Sequence, residues 1–108
     1  MIERGSEDSE LLTWIARDIA SNEDIPKSNR NMDFALNTAK TALTFARRKT
    51  DPKYIATIAF VHFHAGNIDE AIVWQRKAYF SAREKEKSSY KNDLDSYQMQ
   101  KQHVEVTG

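Results

Sequence analysis

Apolar residues recur along the chain at the three- and four-residue spacing of helices, in blocks separated by polar breaks. From Glu10 to Ala20, Leu12, Ile15, Ala16 and Ile19 form one stripe, with Asp8 or Ser9 placed to cap it. Residues 1–9 are polar and have little to bury, so a frayed, flexible N-terminus is expected there. Ser21–Arg30 is polar and contains Ile25-Pro26, a pair that disfavours helix before the proline, and it reads as a long loop. Asn31 can cap a second helix reaching about Lys49, with Phe34, Ala35, Ala39, Ala42, Leu43 and Ala46 on its apolar face. Asp51-Pro52 is a start signal, a capping carboxylate followed by proline in the first turn. It opens a third helix over about Lys53–Ala65, apolar around much of its circumference and so central. Gly66 is placed to stop it. Asn67 with Glu70 has the pattern of a capping box for a fourth helix, from Ile68 to Arg83 or beyond. Tyr90, Leu94 and Tyr97 carry a thin stripe through a fifth helix over about Lys87–Lys101. The pattern leaves open whether the chain breaks at residues 84–88, and residues 103–108 are expected to fray.

Two of these blocks are copies of one design. Asn31–Ala46 reads NMDFALNTAKTALTFA and Asn67–Ala82 reads NIDEAIVWQRKAYFSA, in register at a spacing of 36. Asn, Asp and three Ala fall at equivalent places. Each copy follows an apolar segment containing Ile-Ala, at Ile15-Ala16 and Ile58-Ala59. A helix pair used twice implies a stacked helical array, in which neighbours supply the core that one pair lacks.

Composition narrows this further. With 108 residues there is room for one domain, taken as 10–102. Forty per cent apolar residues are enough to disfavour wholesale disorder. Three Gly and two Pro are too few to punctuate a sheet protein. The fold class expected is therefore all-α, with five helices. Formal net charge is zero but uneven: residues 1–33 carry eight acids and four bases, and residues 34–64 carry five bases and one acid. The basic excess centres on Arg47, Arg48 and Lys49, a patch too small to imply nucleic acid by itself. The absence of Cys removes thiol catalysis and disulfides. No apolar run approaches the roughly 20 residues that cross a bilayer, and none has the form of a signal peptide. A cytoplasmic protein is expected, with no membrane contact and no cofactor.

At Leu12, Ile15, Ala16, Ala35 and Ala42, and again at Ile55, Ile58, Ala59, Gly66, Ala71 and Ala78, the chain resembles a tetratricopeptide repeat protein. The resemblance covers most of residues 11–83. The stretch Ala-Gly-Asn-Ile-Asp-Glu-Ala-Ile is its most specific part. His62 and Gln75 stand where aromatics are usual, and the first unit has a long loop in place of a tight turn. The resemblance implies a right-handed array of antiparallel helix pairs, here two degenerate repeats closed by a C-terminal capping helix. It also implies a non-enzymatic scaffold that binds a peptide or protein in a concave groove. Carried onto this chain, the groove residues are Thr13 and Arg17 in the first unit and Lys53, Ala56, Phe60, Phe63 and His64 in the second. Ala56 and Phe60 occupy places where relatives that clamp a chain-terminal carboxylate have polar groups. A hydrophobic or mixed contact around Phe60 and Phe63 is expected instead, with charge selection by Arg17 and Lys53.

Each candidate also has a plainer reading. Phe60 and Phe63 at helical spacing are equally core residues covered by the loop or the terminal helix. His62 and His64 point to different sides of a helix and cannot share a metal ion, so no metal is expected. His62 reads as a packed histidine and His64 as the better contact. Trp14 and Trp74 are interface anchors or core, with core favoured for at least one. Arg47, Arg48 and Lys49 serve as a secondary basic patch or simply compensate the helix dipole. The inward positions hold mostly Ala, Ile and Leu and offer no nucleophile–base pair, so no catalytic residue is assigned. The alternative to partner capture is a self-assembling module, such as a homodimer, or a remnant of a larger protein. A nucleic-acid-binding helical protein ranks lower.

Overall fold

The computed structural model describes the backbone of residues 3–21, 31–46 and 50–107, and side chains within 10–103 of these segments. Among them the chain is all-α, with five α-helices and no strand. The helices are α1 (Glu3–Ser21), α2 (Met32–Phe45), α3 (Pro52–His64), α4 (Ile68–Ser81) and α5 (Lys87–Thr107). A single 3-10 turn, Glu84–Glu86, precedes α5. No helix among the described residues is long and apolar enough to cross a membrane.

The start and stop of α3 follow directly from local chemistry. Asp51 is its N-cap, and its carboxylate accepts from the Lys53 amide at 3.0 Å, with Pro52 in the first turn. At the other end Gly66 takes φ +91°, its amide donates to Phe63 O at 3.1 Å, and the Asn67 amide donates to His62 O at 2.8 Å. That pair of bonds is a Schellman closure, which satisfies two orphan carbonyls and needs a left-handed residue. Three residues, Ala65–Asn67, then separate α3 from α4.

α2 and α4 have the same construction, offset by 36 residues. Each has 14 residues, an asparagine in the N-cap place, and an alanine in extended conformation at the C-cap. Those alanines, Ala46 and Ala82, donate to Leu43 O and Tyr79 O at 3.1 and 3.3 Å. Ala35 and Ala71, and Ala42 and Ala78, are all fully buried. The caps differ in one respect. Asn31 accepts from the Phe34 amide at 2.9 Å, whereas Asn67 makes no side-chain cap. The capping box expected at Asn67 and Glu70 is therefore absent. Asn67 Nδ2 lies instead 3.4 Å from His62 Nδ1 across the turn.

Packing runs along the array: α1 on α2 and α3, α2 on α3, α3 on α4, and α4 on α5. The molecule measures 51 × 36 × 18 Å, its least dimension close to two helix diameters. Small residues permit this close approach. Ala16, Ala20, Ala35 and Ala39 are fully buried around Ile58 and Val61 at the junction of α1, α2 and α3. Ala59, Ala71 and Ile72 meet Leu94 and Tyr97 of α5. Gln75, at the place equivalent to Ala39, is fully buried and donates from Nε2 to Tyr90 O at 3.1 Å, tying α4 to α5. His62 is buried, as expected of a packed histidine.

Several boundaries differ from the sequence pattern. α1 begins at Glu3, not near Glu10, so Asp8 and Ser9 lie inside it and not at its start. A polar stretch of helix leaves no apolar stripe to detect. α5 continues to Thr107 for the same reason. α2 ends at Phe45, not near Lys49, and α4 at Ser81, not Arg83, because Ala46 and Ala82 are buried in extended conformation, with neither Gly nor Pro to signal the break. Arg47, Arg48 and Lys49, and residues 22–30 of the expected loop, lie outside the described residues.

Candidate functional site

A cleft of about 700 Å³ opens between α1, the first turns of α3, and α5. Arg17 comes from α1, Asp51, Pro52, Lys53 and Ala56 from the start of α3, and Ser89, Tyr90 and Asp93 from α5. Ser81, the last residue of α4, and Arg83, Lys85 and Glu86 of the α4–α5 connection complete it. Two breaks create the cleft: the Asp51-Pro52 start sets the near wall, and the extended Ala82 and Arg83 displace α5 from the line of α4.

Of the expected groove residues, Arg17, Lys53 and Ala56 line this cleft, and Phe60, Phe63, His64 and Thr13 do not. Phe60 lies beneath Arg17, whose guanidinium carbon is 4.7 Å from the ring centroid. Phe63 is stacked on Tyr97 of α5, with centroids 4.5 Å apart and planes 19° from parallel. His64 packs between them, 4.4 Å from Phe60 and 5.5 Å from Phe63. Phe60 is thus partly covered by Arg17 and Phe63 by Tyr97 of the terminal helix, and Phe60, Phe63 and His64 are all half-buried. Thr13 is buried, and its hydroxyl has no hydrogen-bond partner among the described residues.

The two cations expected to select charge are in different states. Lys53 Nζ is ion-paired to Glu10 of α1, and that hydrogen bond holds the ammonium pKa above its ordinary value. Arg17 Nε donates to Thr57 Oγ1 at 3.2 Å, and the Thr57 hydroxyl in turn donates to Lys53 O at 3.0 Å. No carboxylate among the described residues forms an ion pair with Arg17. Burial lowers its pKa, opposed by Tyr97, Asp93 and Tyr90, yet a guanidinium keeps its charge at any physiological pH. Burial also pushes Tyr97 up to about 12, with Asp93 adding to the shift and Arg17 opposing it, and raises Tyr90.

The polar wall from α5 was not assigned from sequence. Tyr90 was legible only as part of a packing stripe, and the charges from Glu84 to Lys91 look like a solvated helix face. A second, shallower depression of about 390 Å³, lined by Leu43, Ile55, Trp74 and Phe80, holds Lys77 above the Trp74 ring at 4.5 Å. Trp74 packs partly into the core, whereas Trp14 is 66% exposed beside Leu11. Among the described residues no group of three potential ligands could hold a metal ion.

Comparison with known proteins finds no family model, no curated protein and no solved structure that matches this chain.

Proposed function

We propose that this chain is a non-enzymatic interaction module of tetratricopeptide-repeat type that holds a peptide or protein segment in the cleft between α1, α3 and α5. The observation carrying this reading is the cleft itself: an open channel of about 700 Å³ with charged and hydroxyl-bearing walls and Ala56 and Pro52 on α3. Its size falls within the range of sites that bind ligands. The equal lengths and extended alanine C-caps of α2 and α4, with α5 packed on α4, support the repeat-type arrangement. A cytoplasmic location without a cofactor belongs to the same reading.

The test is selection of binders from a random dodecapeptide library, followed by polarisation binding to the wild type and to Ser89→Trp. Ser89 is an exposed α5 residue on the cleft wall, so the indole obstructs the channel without entering the core. Loss of binding in Ser89→Trp supports the reading. Unchanged binding places the interaction elsewhere, and a library without binders contradicts peptide capture.

Self-association is the second reading, favoured by Leu11 and Trp14, both more than half exposed on α1. Sedimentation equilibrium at increasing concentration, comparing the wild type with Trp14→Ser, tests it. A strictly monomeric wild type removes it.

A further inference from the structure

Arg17 is a partly desolvated cation, held in place, with no anion of its own. The Phe60 ring beneath and Thr57 at Nε fix the plane of the guanidinium. Its two terminal nitrogens have no hydrogen-bond partner among the described residues. They belong to a residue that lines the cleft of about 700 Å³. A guanidinium with its Nε engaged still presents a forked pair of N–H donors, the arrangement that a carboxylate accepts bidentately. The desolvation that lowers its pKa is a cost already incurred in the free protein, so an incoming anion gains from a charge that water screens only in part.

The other charges of the cleft narrow the choice. Lys53 is already neutralised by Glu10. Arg83 and Lys85 are exposed on the connecting turn, where solvent screens them. Three carboxylates, Asp51, Glu86 and Asp93, also line the cleft, and Asp93 is near enough to favour the charge on Arg17 without pairing with it. One unpaired guanidinium among three carboxylates suits a single negative charge. A phosphate, with about −1.5 to −2 at neutral pH, meets more repulsion than one guanidinium offsets.

Resting on the peptide-capture reading above, we propose that the cleft recognises an acidic segment, with an Asp or Glu side-chain carboxylate of the partner seated on Arg17. The carboxylate takes the terminal nitrogens of the guanidinium, while Phe60 and Thr57 keep its plane fixed.

Dodecapeptides selected on the wild type and retained by the open cleft, but not by Ser89→Trp, provide the probe. Asp or Glu is expected at one fixed position. Changing that residue to Asn or Gln weakens binding to the wild type about tenfold or more, as expected for losing a charge-assisted pair. The same change has little effect in Arg17→Gln, which closes a double-mutant cycle on the pair. Arg17→Lys retains part of the preference, and Thr57→Val, which releases Nε, reduces it. Thermal melts of each variant separate folding from recognition. Peptides that compete for the cleft without an acidic preference overturn the inference and leave the capture reading standing. So does a preference undiminished in Arg17→Gln, and so does tighter binding when phosphoserine replaces the selected acid. Absence of any cleft-dependent peptide fails the underlying reading instead.

Discussion

Replacing Tyr97 with Ala tests the packing that gives the cleft its far wall. Tyr97 is 7% exposed, stacks on Phe63, and shares a cluster with Ala59, Ala71, Ile72 and Leu94. Truncating a buried aromatic costs about 3–5 kcal/mol, the larger values arising where neighbours cannot collapse into the space. Here two of the neighbours are fully buried alanines, which have no side chain to rearrange. Against that, α5 is the last helix of the array and can shift as a unit, so the lower end, about 3 kcal/mol, is expected. Tyr97→Phe is the control. The Tyr97 hydroxyl makes no hydrogen bond among the described residues, so the ring alone should restore stability to within about 0.5 kcal/mol. The assay is urea denaturation of both variants with amide exchange followed by mass spectrometry. In Tyr97→Ala the amides of α5 should lose protection while those of α3 keep theirs, because α3 is held by α1, α2 and α4. A Tyr97→Ala protein as stable as Tyr97→Phe, with α5 still protected, refutes the docking of α5 described above.

Three other perturbations follow from single observations. Gly66→Ala should cost about 1–2 kcal/mol, all of it from the positive φ, since no atom lies within 4 Å of an added Cβ; each kcal/mol lowers the melting temperature by roughly 4–8 °C, and an unchanged melt contradicts the turn. Burial lowers the His62 pKa below 6.5, with Lys40 adding and Glu70 opposing, so the unfolded chain takes up the proton more readily. Stability should therefore fall as pH drops through about 6.5 and level off below the folded value, a component missing from the urea midpoints of His62→Gln. Gln75→Leu loses the bond to Tyr90 O but also removes Oε1, which is buried without a partner among the described residues. The expected change is within about 1 kcal/mol of zero, measured by chemical denaturation, and a loss above about 2 kcal/mol would show that this bond anchors α5.

Much of the architecture is legible from residues whose conformational preferences are strong. Asp51-Pro52 and Gly66 bound α3 within one residue, because a capping carboxylate, a fixed φ and a positive φ act locally. The five helices themselves follow from the spacing of apolar residues, the equivalent alanines above all. Three features were not legible, each because tertiary contact decides it. Ala46 and Ala82 end their helices in buried extended conformation, which their own chemistry does not favour over helix. Asn67 turns toward His62 and leaves the fourth helix without a side-chain cap. At the site, sequence spacing puts Phe60 and Phe63 on a groove-facing side. It does not tell that Arg17 lies across one and Tyr97 across the other. Polar α5 residues such as Ser89 and Asp93 become cleft walls only through the displacement at Ala82 and Arg83.

The account rests on α1 and α5 standing on either side of a cleft at α3, each holding one of its phenylalanines. Proton NMR of the free chain tests this most directly. The structure predicts ring-to-ring cross-peaks between Phe63 and Tyr97, together with Arg17 side-chain resonances shifted upfield over Phe60. Ring protons of Phe63 that see no residue of α5, or an Arg17 side chain at random-coil shifts, would contradict it.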